Sequence, residues 1–292
     1  MVFAVVGQIR ALGLAWPEFI VSCGTAKPEI IVPETIVIVA GAFVRGSDRA
    51  EREAADHLDE VAYGHSMPRK TYESEVARRR VEPPAFEITR TLITNAHYAA
   101  FIQATGLRSL NVDRQTWQGY GLVHRYNRTR CNAWRAKTPP LWREFHPVVL
   151  VYHADARTYV SRKTGRRRRI FSEIGYEKAA RCNAGGRFPR GHMLDPKKLN
   201  SAHNGSFDAV PAELYPAGAS PFGLLDLAGQ VFEWTSATSD KGRFIVKGGS
   251  WDGKGCGICP PAARHSRPET IKHILIGFGS VQEANQNFVR SR

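Results

Sequence analysis

The sequence predicts an irregular α+β fold with short antiparallel strands and few helices, and three observations predict it. The first is composition. The 292 residues are 42% hydrophobic and 23% charged, the balance of a globular chain rather than a disordered or fibrous one. Within it stand 26 Gly, 17 Pro and six Trp, which favour turns and aromatic-studded loops over a helical bundle. The second is order: strand-like and helix-like segments do not alternate, which argues against a doubly wound parallel sheet. The third is a gradient along the chain, from helical patterns early, through a long turn-rich stretch, to compact glycine-marked strands late. On such a scaffold the loops carry the function.

Taken in order, residues 1–34 read as a leader or N-terminal extension, 35–282 as one domain and 283–292 as a tail. Ile36-Val37-Ile38-Val39 is a β-branched strand ending at Gly41, and 41–47 reads as a strand and turn. Residues 48–82, dominated by Arg, Glu and Asp, suit a surface loop with some helix. Phe86-Glu87-Ile88-Thr89 alternates as a half-buried strand does. Thr94 can cap a helix whose Tyr98, Phe101 and Ile102 share a face. Residues 105–140, with Trp117, Tyr120 and Trp134, read as a long aromatic loop region. Residues 147–151 are a short apolar segment, and 153–164 and 173–181 look helical. From Phe188 to Ala219 turns dominate. Residues 223–234 and 243–251 are strand-turn units.

Lys plus Arg total 41 against 27 Asp plus Glu, a formal charge of +14. The runs Arg78-Arg79-Arg80 and Arg166-Arg167-Arg168-Arg169 can grip phosphates, so weak, non-specific nucleic-acid binding is expected. No zinc-finger spacing, RNP-like aromatic pattern or heptad accompanies them. No stretch reaches the ~18 apolar residues of a transmembrane helix. The apolar start is broken by Arg10, Pro17 and Glu18. Ile20-Val21-Ser22-Cys23 has the look of a lipoprotein cleavage site, but Glu18 argues against it. A cytoplasmic location is therefore expected, with secretion or lipid anchoring as the alternative. Five cysteines at irregular spacing (Cys23, Cys131, Cys182, Cys256, Cys259) are not a disulfide framework.

Seven segments fall in a consistent order over residues 41–280. They are Gly41 to Ser47, Phe86 to Phe101, His146 to Tyr159, and Arg169 to Arg181. Pro221-Phe222-Gly223-Leu224-Leu225-Asp226-Leu227-Ala228-Gly229-Gln230-Val231-Phe232-Glu233-Trp234-Thr235 follows, then Val246-Lys247-Gly248-Gly249-Ser250-Trp251, then Ala262 to Phe278. Together they resemble the formylglycine-generating enzyme, or sulfatase-modifying-factor, family. That resemblance implies a variant of the C-type lectin fold. Its departures include Phe171-Ser172 in the segment preceding the Glu173 helix, Arg190 after Phe188-Pro189, and Gly279 after Gly277-Phe278.

The resemblance implies a function: oxidation of a peptidyl cysteine in a sulfatase-type substrate to formylglycine, with copper(I) and dioxygen. Two thiolates after the Gly-Gly-Ser segment hold the copper in that family, and soft thiolates select copper(I). Here Cys256 and Cys259 follow Ser250 with two residues between them rather than four, and Asp252 and Gly253 occupy the region of the first family cysteine. Ser250 is the third expected catalytic residue. Trp251, Arg264 and His265 are expected at the substrate, with Ser250 and Trp251 lining its groove. A reactive Cys is expected to be partly exposed and acidified, and Gly257 is expected to let the turn tighten. Structural zinc would need a second Cys pair, which is missing; two ordinary loop cysteines are the remaining alternative.

Asp226, Gly229, Val231 and Glu233 occupy the family's calcium positions, two carboxylates and two main-chain carbonyls supplying hard oxygen ligands. The alternative is that Asp226 caps the turn and Glu233 pairs with a basic neighbour. The nonheme-iron sulfoxide synthases related to this family use a H-x-x-x-H-x-E triad. His57 and His65 are eight apart, so that chemistry is not expected. The second functional class is a non-catalytic lectin-like binding or display protein, of the diversity-generating-retroelement type, whose residues beyond Trp251 read an unidentified protein ligand.

Overall fold

The computed structural model describes residues 33–65, 71–107, 110–162, 168–181, 183, 185–239 and 241–284. Cys23 and its neighbours, Cys182, Arg166 and Arg167, and most of the C-terminal tail lie outside the described residues.

Two four-stranded sheets organise the domain. The first joins the ends of the described chain: β1 (Thr35–Ile38) pairs with β4 (Phe86–Thr89), β4 with β10 (Val281–Glu283), and β10 with β5 (Arg168–Arg169), all antiparallel. Ile36 faces Ile88, which faces Val281, and the alternation of β4 buries Phe86 and Ile88. A two-stranded ribbon of β2 (Phe43–Arg45) and β3 (Arg79–Val81) lies apart from both sheets in the pairing pattern. The second sheet runs β8 (His265–Arg267), β7 (Phe244–Lys247), β6 (Phe232–Thr238), β9 (Ile276–Gly277), with only the β6–β9 pair parallel.

Helices fill the space between. Asp48 and Glu51 form a capping box on α1 (Arg49–Tyr63), which closes on left-handed Gly64. Thr94 caps α2 (Asn95–Thr105) as expected, with His97 returning the bond to the Thr94 amide. Tyr98 and Phe101 of α2 pack on Tyr159 of α5 (His153–Arg162), at ring separations of 5.5 and 5.1 Å, and Trp134 and Phe278 complete this aromatic core. A second cluster joins the first sheet to α6 (Glu173–Arg181) through Phe86, Ile88, Tyr176, Leu227 and Val281.

The charged stretch 48–82, read as surface loop with some helix, carries the 15-residue helix α1 and ends in β3. One expectation is corrected. The aromatic region 105–140 contains α3 (Arg114–Gly119), capped by Asp113, and α4 (Tyr126–Asn132), with Trp117 and Tyr126 5.6 Å apart between them. Helices of six and seven residues are shorter than two turns, so no 3.6-residue repeat can emerge in the sequence.

Acidic and basic side chains share the interior around α6. Glu173 and Glu177 face Arg45, Lys247, Arg181 and Arg264 at 2.9–3.9 Å. Lys247 is 1% exposed and Glu177 0%. Buried charges persist only when paired, so this network fixes β2, β7 and the segment after Ala262 to one helix.

Candidate functional site

Strand β7 runs out through Gly248 and Gly249 into Ser250 and Trp251, and the loop 252–262 follows. Ser250 and Trp251 are 2% and 1% exposed, so they do not line an open groove as expected. The Trp251 ring is instead covered by the Arg128 guanidinium, 4.6 Å from its centre, and by His124 at 5.1 Å. Ser250 Oγ donates to Asp252 Oδ1 at 2.6 Å, and His124 Nε2 lies 3.0 Å from Asp252 Oδ2. Burial pushes the Asp252 carboxyl up, but the bonds from His124 and Ser250 outweigh it and hold the group below its ordinary value. His273, a further 6.0 Å from His124, is pushed down to about 3 by burial and the nearby Arg267.

This Ser250–Asp252–His124 chain was not legible in the sequence. His124 lies in the loop between α3 and α4, 128 residues from its partner, with no motif around it. The chain also differs from a nucleophilic triad, because the carboxylate rather than the imidazole accepts the serine proton. It can position a loop around an ionised Asp252; it does not activate Ser250 as a nucleophile.

Cys256 and Cys259 stand together in the same loop. Both are reduced, 1% and 0% exposed, and packed with Phe188, Leu199, Ala228, Leu58 and Leu194. The expected exposure and acidity are therefore corrected. A hydrogen bond with Cys256, reinforced by burial, pushes the Cys259 thiol well above its usual value. The turn also tightens differently: Cys256 itself takes the left-handed conformation, φ 54°, and its amide carbonyl accepts from Cys259 N at 3.0 Å. Gly249 supplies the close approach, since a Cβ there would lie 2.7 Å from Cys259 Sγ.

Directly beneath lies the turn from Asp226 to Glu233. The Gly229 amide adjoins the Cys259 sulfur and donates to Gly248 O at 2.6 Å, so the two loops are joined back to back. Asp226 adopts φ 60°, and its Oδ2 is buried without a hydrogen-bond partner. Burial raises its carboxyl to about 7 and raises Glu233 well above the carboxylate range, with Asp226 adding to the latter. No ion pair reaches either group among the described residues, so the basic partner considered for Glu233 is not found there. An orphaned carboxylate oxygen beside a second carboxylate suits a hard cation. No third His, Cys, Asp or Glu side chain completes a metal-binding group among the described residues, which leaves main-chain oxygens such as those of Gly229 and Val231 to complete a shell.

The remaining expected residues are placed elsewhere. Arg264 donates to both Glu173 oxygens, at 2.9 and 3.2 Å, and to Ser74 O at 2.8 Å, so its guanidinium is held within the fold rather than at a substrate. His265 lies in β8, stacked 5.4 Å from Phe232, and burial beside Arg267 and Arg243 pushes it down to about 3. His57 is exposed on α1 and His65 lies beyond its end, so no three-ligand iron site forms around them among the described residues.

With this geometry in view, the domain has a C-type-lectin-like α+β fold. The Sulfatase-modifying factor enzyme 1-like domain matches residues 23–284, and the chain belongs to that family. A hercynine oxygenase of Mycolicibacterium thermoresistibile is 29% identical over 252 residues, covering 79% of this chain and 50% of that protein. A formylglycine-generating enzyme of Streptomyces coelicolor is 30% identical over 212 residues, 60% of this chain and 64% of the relative. The chain thus spans about half the length of the hercynine oxygenases it matches. Among solved structures, PvdO from Pseudomonas aeruginosa superposes with a TM-score of 0.64 at 22% identity, over 87% of this chain and 95% of that one. Treponema denticola variable protein 1 superposes at 0.59 and 13% identity, over 86% and 95%. These two show the shared fold. No helix among the described residues is long and apolar enough to cross a membrane.

Proposed function

We propose that the chain is a copper-dependent oxidase of the formylglycine-generating type, acting on a cysteine side chain of a peptide or protein such as a sulfatase. One observation carries the reading: two soft sulfur donors, buried in one side-chain cluster, sit in the loop that follows Gly248-Gly249-Ser250-Trp251. Cys256 and Cys259, each giving up its thiol proton to solvent, would hold copper(I) as two thiolates. When bound, the metal supplies dioxygen activation. The protein's own groups do the rest. Leu58, Phe188, Leu194 and Leu199 exclude water from the sulfurs. Asp252, bonded to Ser250 and His124, keeps a fixed negative charge at the edge of the same loop and anchors Ser250 there. A calcium ion on Asp226 and Glu233 would brace the turn under Cys259.

The test is copper(I) stoichiometry of the purified protein. One equivalent is expected for the wild type and none for Cys256→Ser or Cys259→Ser. The double variant should be no worse than either single one, since the pair acts as a unit. Unimpaired uptake in both single variants would refute the site. A second reading, ligand binding without chemistry, is favoured by the burial of both sulfurs. It takes first place if the loaded wild type never turns over a cysteine peptide.

A further inference from the structure

The cysteine loop does not hold its shape unaided; helix α1 grips it. Asp59, near the end of α1, is 5% exposed. One carboxylate oxygen accepts the Gly257 amide at 3.0 Å, and the other accepts the hydroxyl of Tyr72, itself 1% exposed. The fit leaves no room for side chains on the loop. A Cβ at residue 255 would overlap the Asp59 carboxylate, and one at residue 257 would overlap the Tyr72 hydroxyl and the Ala55 carbonyl. Gly255 and Gly257 therefore flank Cys256 because the helix passes too close for anything else. On either side, the Lys254 amide donates to Tyr63 Oη at 3.3 Å, and Leu58 packs in the same cluster as both cysteines.

No ion pair to Asp59 is present among the described residues. A carboxylate taken out of water is retained only where hydrogen bonds compensate it, and here the compensating donors are the loop amide and the tyrosine that backs it. We infer that Asp59 is the positioning residue of the dithiol: by fixing the Gly257 amide, with Tyr72 behind it, it holds the Cys256–Cys259 turn in the one conformation that brings both sulfurs together and shut away from solvent. The geometry of the clamp stands on its own contacts; its chemical purpose rests on the copper reading above.

The experiment uses the full chain and three variants: Asp59→Ala, Asp59→Asn and Tyr72→Phe. Two quantities are read. One is the rate at which N-ethylmaleimide labels each cysteine in the native protein, resolved by mass spectrometry, with exposed Cys131 as internal reference. The other is copper(I) affinity by competition with bicinchoninate. Loss of a hydrogen bond to a charged group should change both by about tenfold or more. Asp59→Ala is thus expected to speed labelling of Cys256 and Cys259 and to weaken copper binding to that degree, with Cys131 unchanged. Asp59→Asn should recover most of both, because its amide oxygen still accepts the Gly257 amide while its nitrogen can donate to the Tyr72 hydroxyl. Tyr72→Phe should fall between, and decides the matter if Asp59→Ala does not fold. Labelling and affinity at wild-type values in a folded Asp59→Ala or in Tyr72→Phe would overturn the clamp. A wild type that takes up no copper(I), with labelling still accelerated in Asp59→Ala, would remove the copper reading and leave the clamp standing.

Discussion

Asp226 is the residue whose environment is most at odds with its charge. Its carboxyl rises from 3.8 to about 7 through burial, so the folded state without a cation prefers the protonated form. A group raised on folding contributes stability below its unfolded value and loses it as pH climbs through the folded value. In EDTA the melting temperature should therefore fall between about pH 4 and pH 7. Calcium should reverse that fall above pH 7, by about 2.7 kcal/mol when present at ~100 times its Kd. Asp226→Asn should abolish the calcium response and reduce the pH slope, leaving the part that buried Glu233 contributes. A calcium-independent melting temperature at pH 8 would contradict the site. The spacing of Asp226, Gly229, Val231 and Glu233 was legible because the four sit in one local turn. His124 was not, since it meets Asp252 only through the packing of a distant loop.

Among the elements, α6 shows what the sequence can and cannot tell. Its bounds, Glu173–Arg181, coincide with the expected helix. Its role was hidden, because charged residues at four of nine helix positions ordinarily mark a wet surface, and here all four are buried. Removing one member of a buried network leaves its partners uncompensated. Glu173→Ala should cost about 3–5 kcal/mol, with Glu173→Gln milder. Denaturant melts of the two variants measure it, and a loss below ~1 kcal/mol for Glu173→Ala would show the network to be solvated. Arg264, tied into that network rather than to a ligand, should behave likewise: Arg264→Ala lowers stability and leaves copper(I) uptake intact. The short strands β8, β9 and β10 went unforeseen, because two or three residues cannot display an alternation.

For the whole molecule, the order of the seven segments made the fold legible where composition gave only its class. The charge of +14 is a weaker guide. Arg78, in the first basic run, is engaged by Asp48 and Glu51 at 3.3 and 3.0 Å, so the run is not a bare cationic surface. Binding to DNA should be weak and should fall steeply between ~50 and ~200 mM salt; a sequence-specific complex that survives high salt would contradict this. We propose that a paired-cysteine site on this fold oxidises a peptidyl cysteine. Its most direct test is mass spectrometry of a Cys-x-Pro-x-Arg peptide incubated with the copper(I)-loaded protein, air and a thiol reductant. Conversion of the peptide cysteine to formylglycine is expected with the wild type, and none with Cys256→Ser or Cys259→Ser. An unchanged peptide after exposure to protein carrying a full equivalent of copper(I) would contradict it.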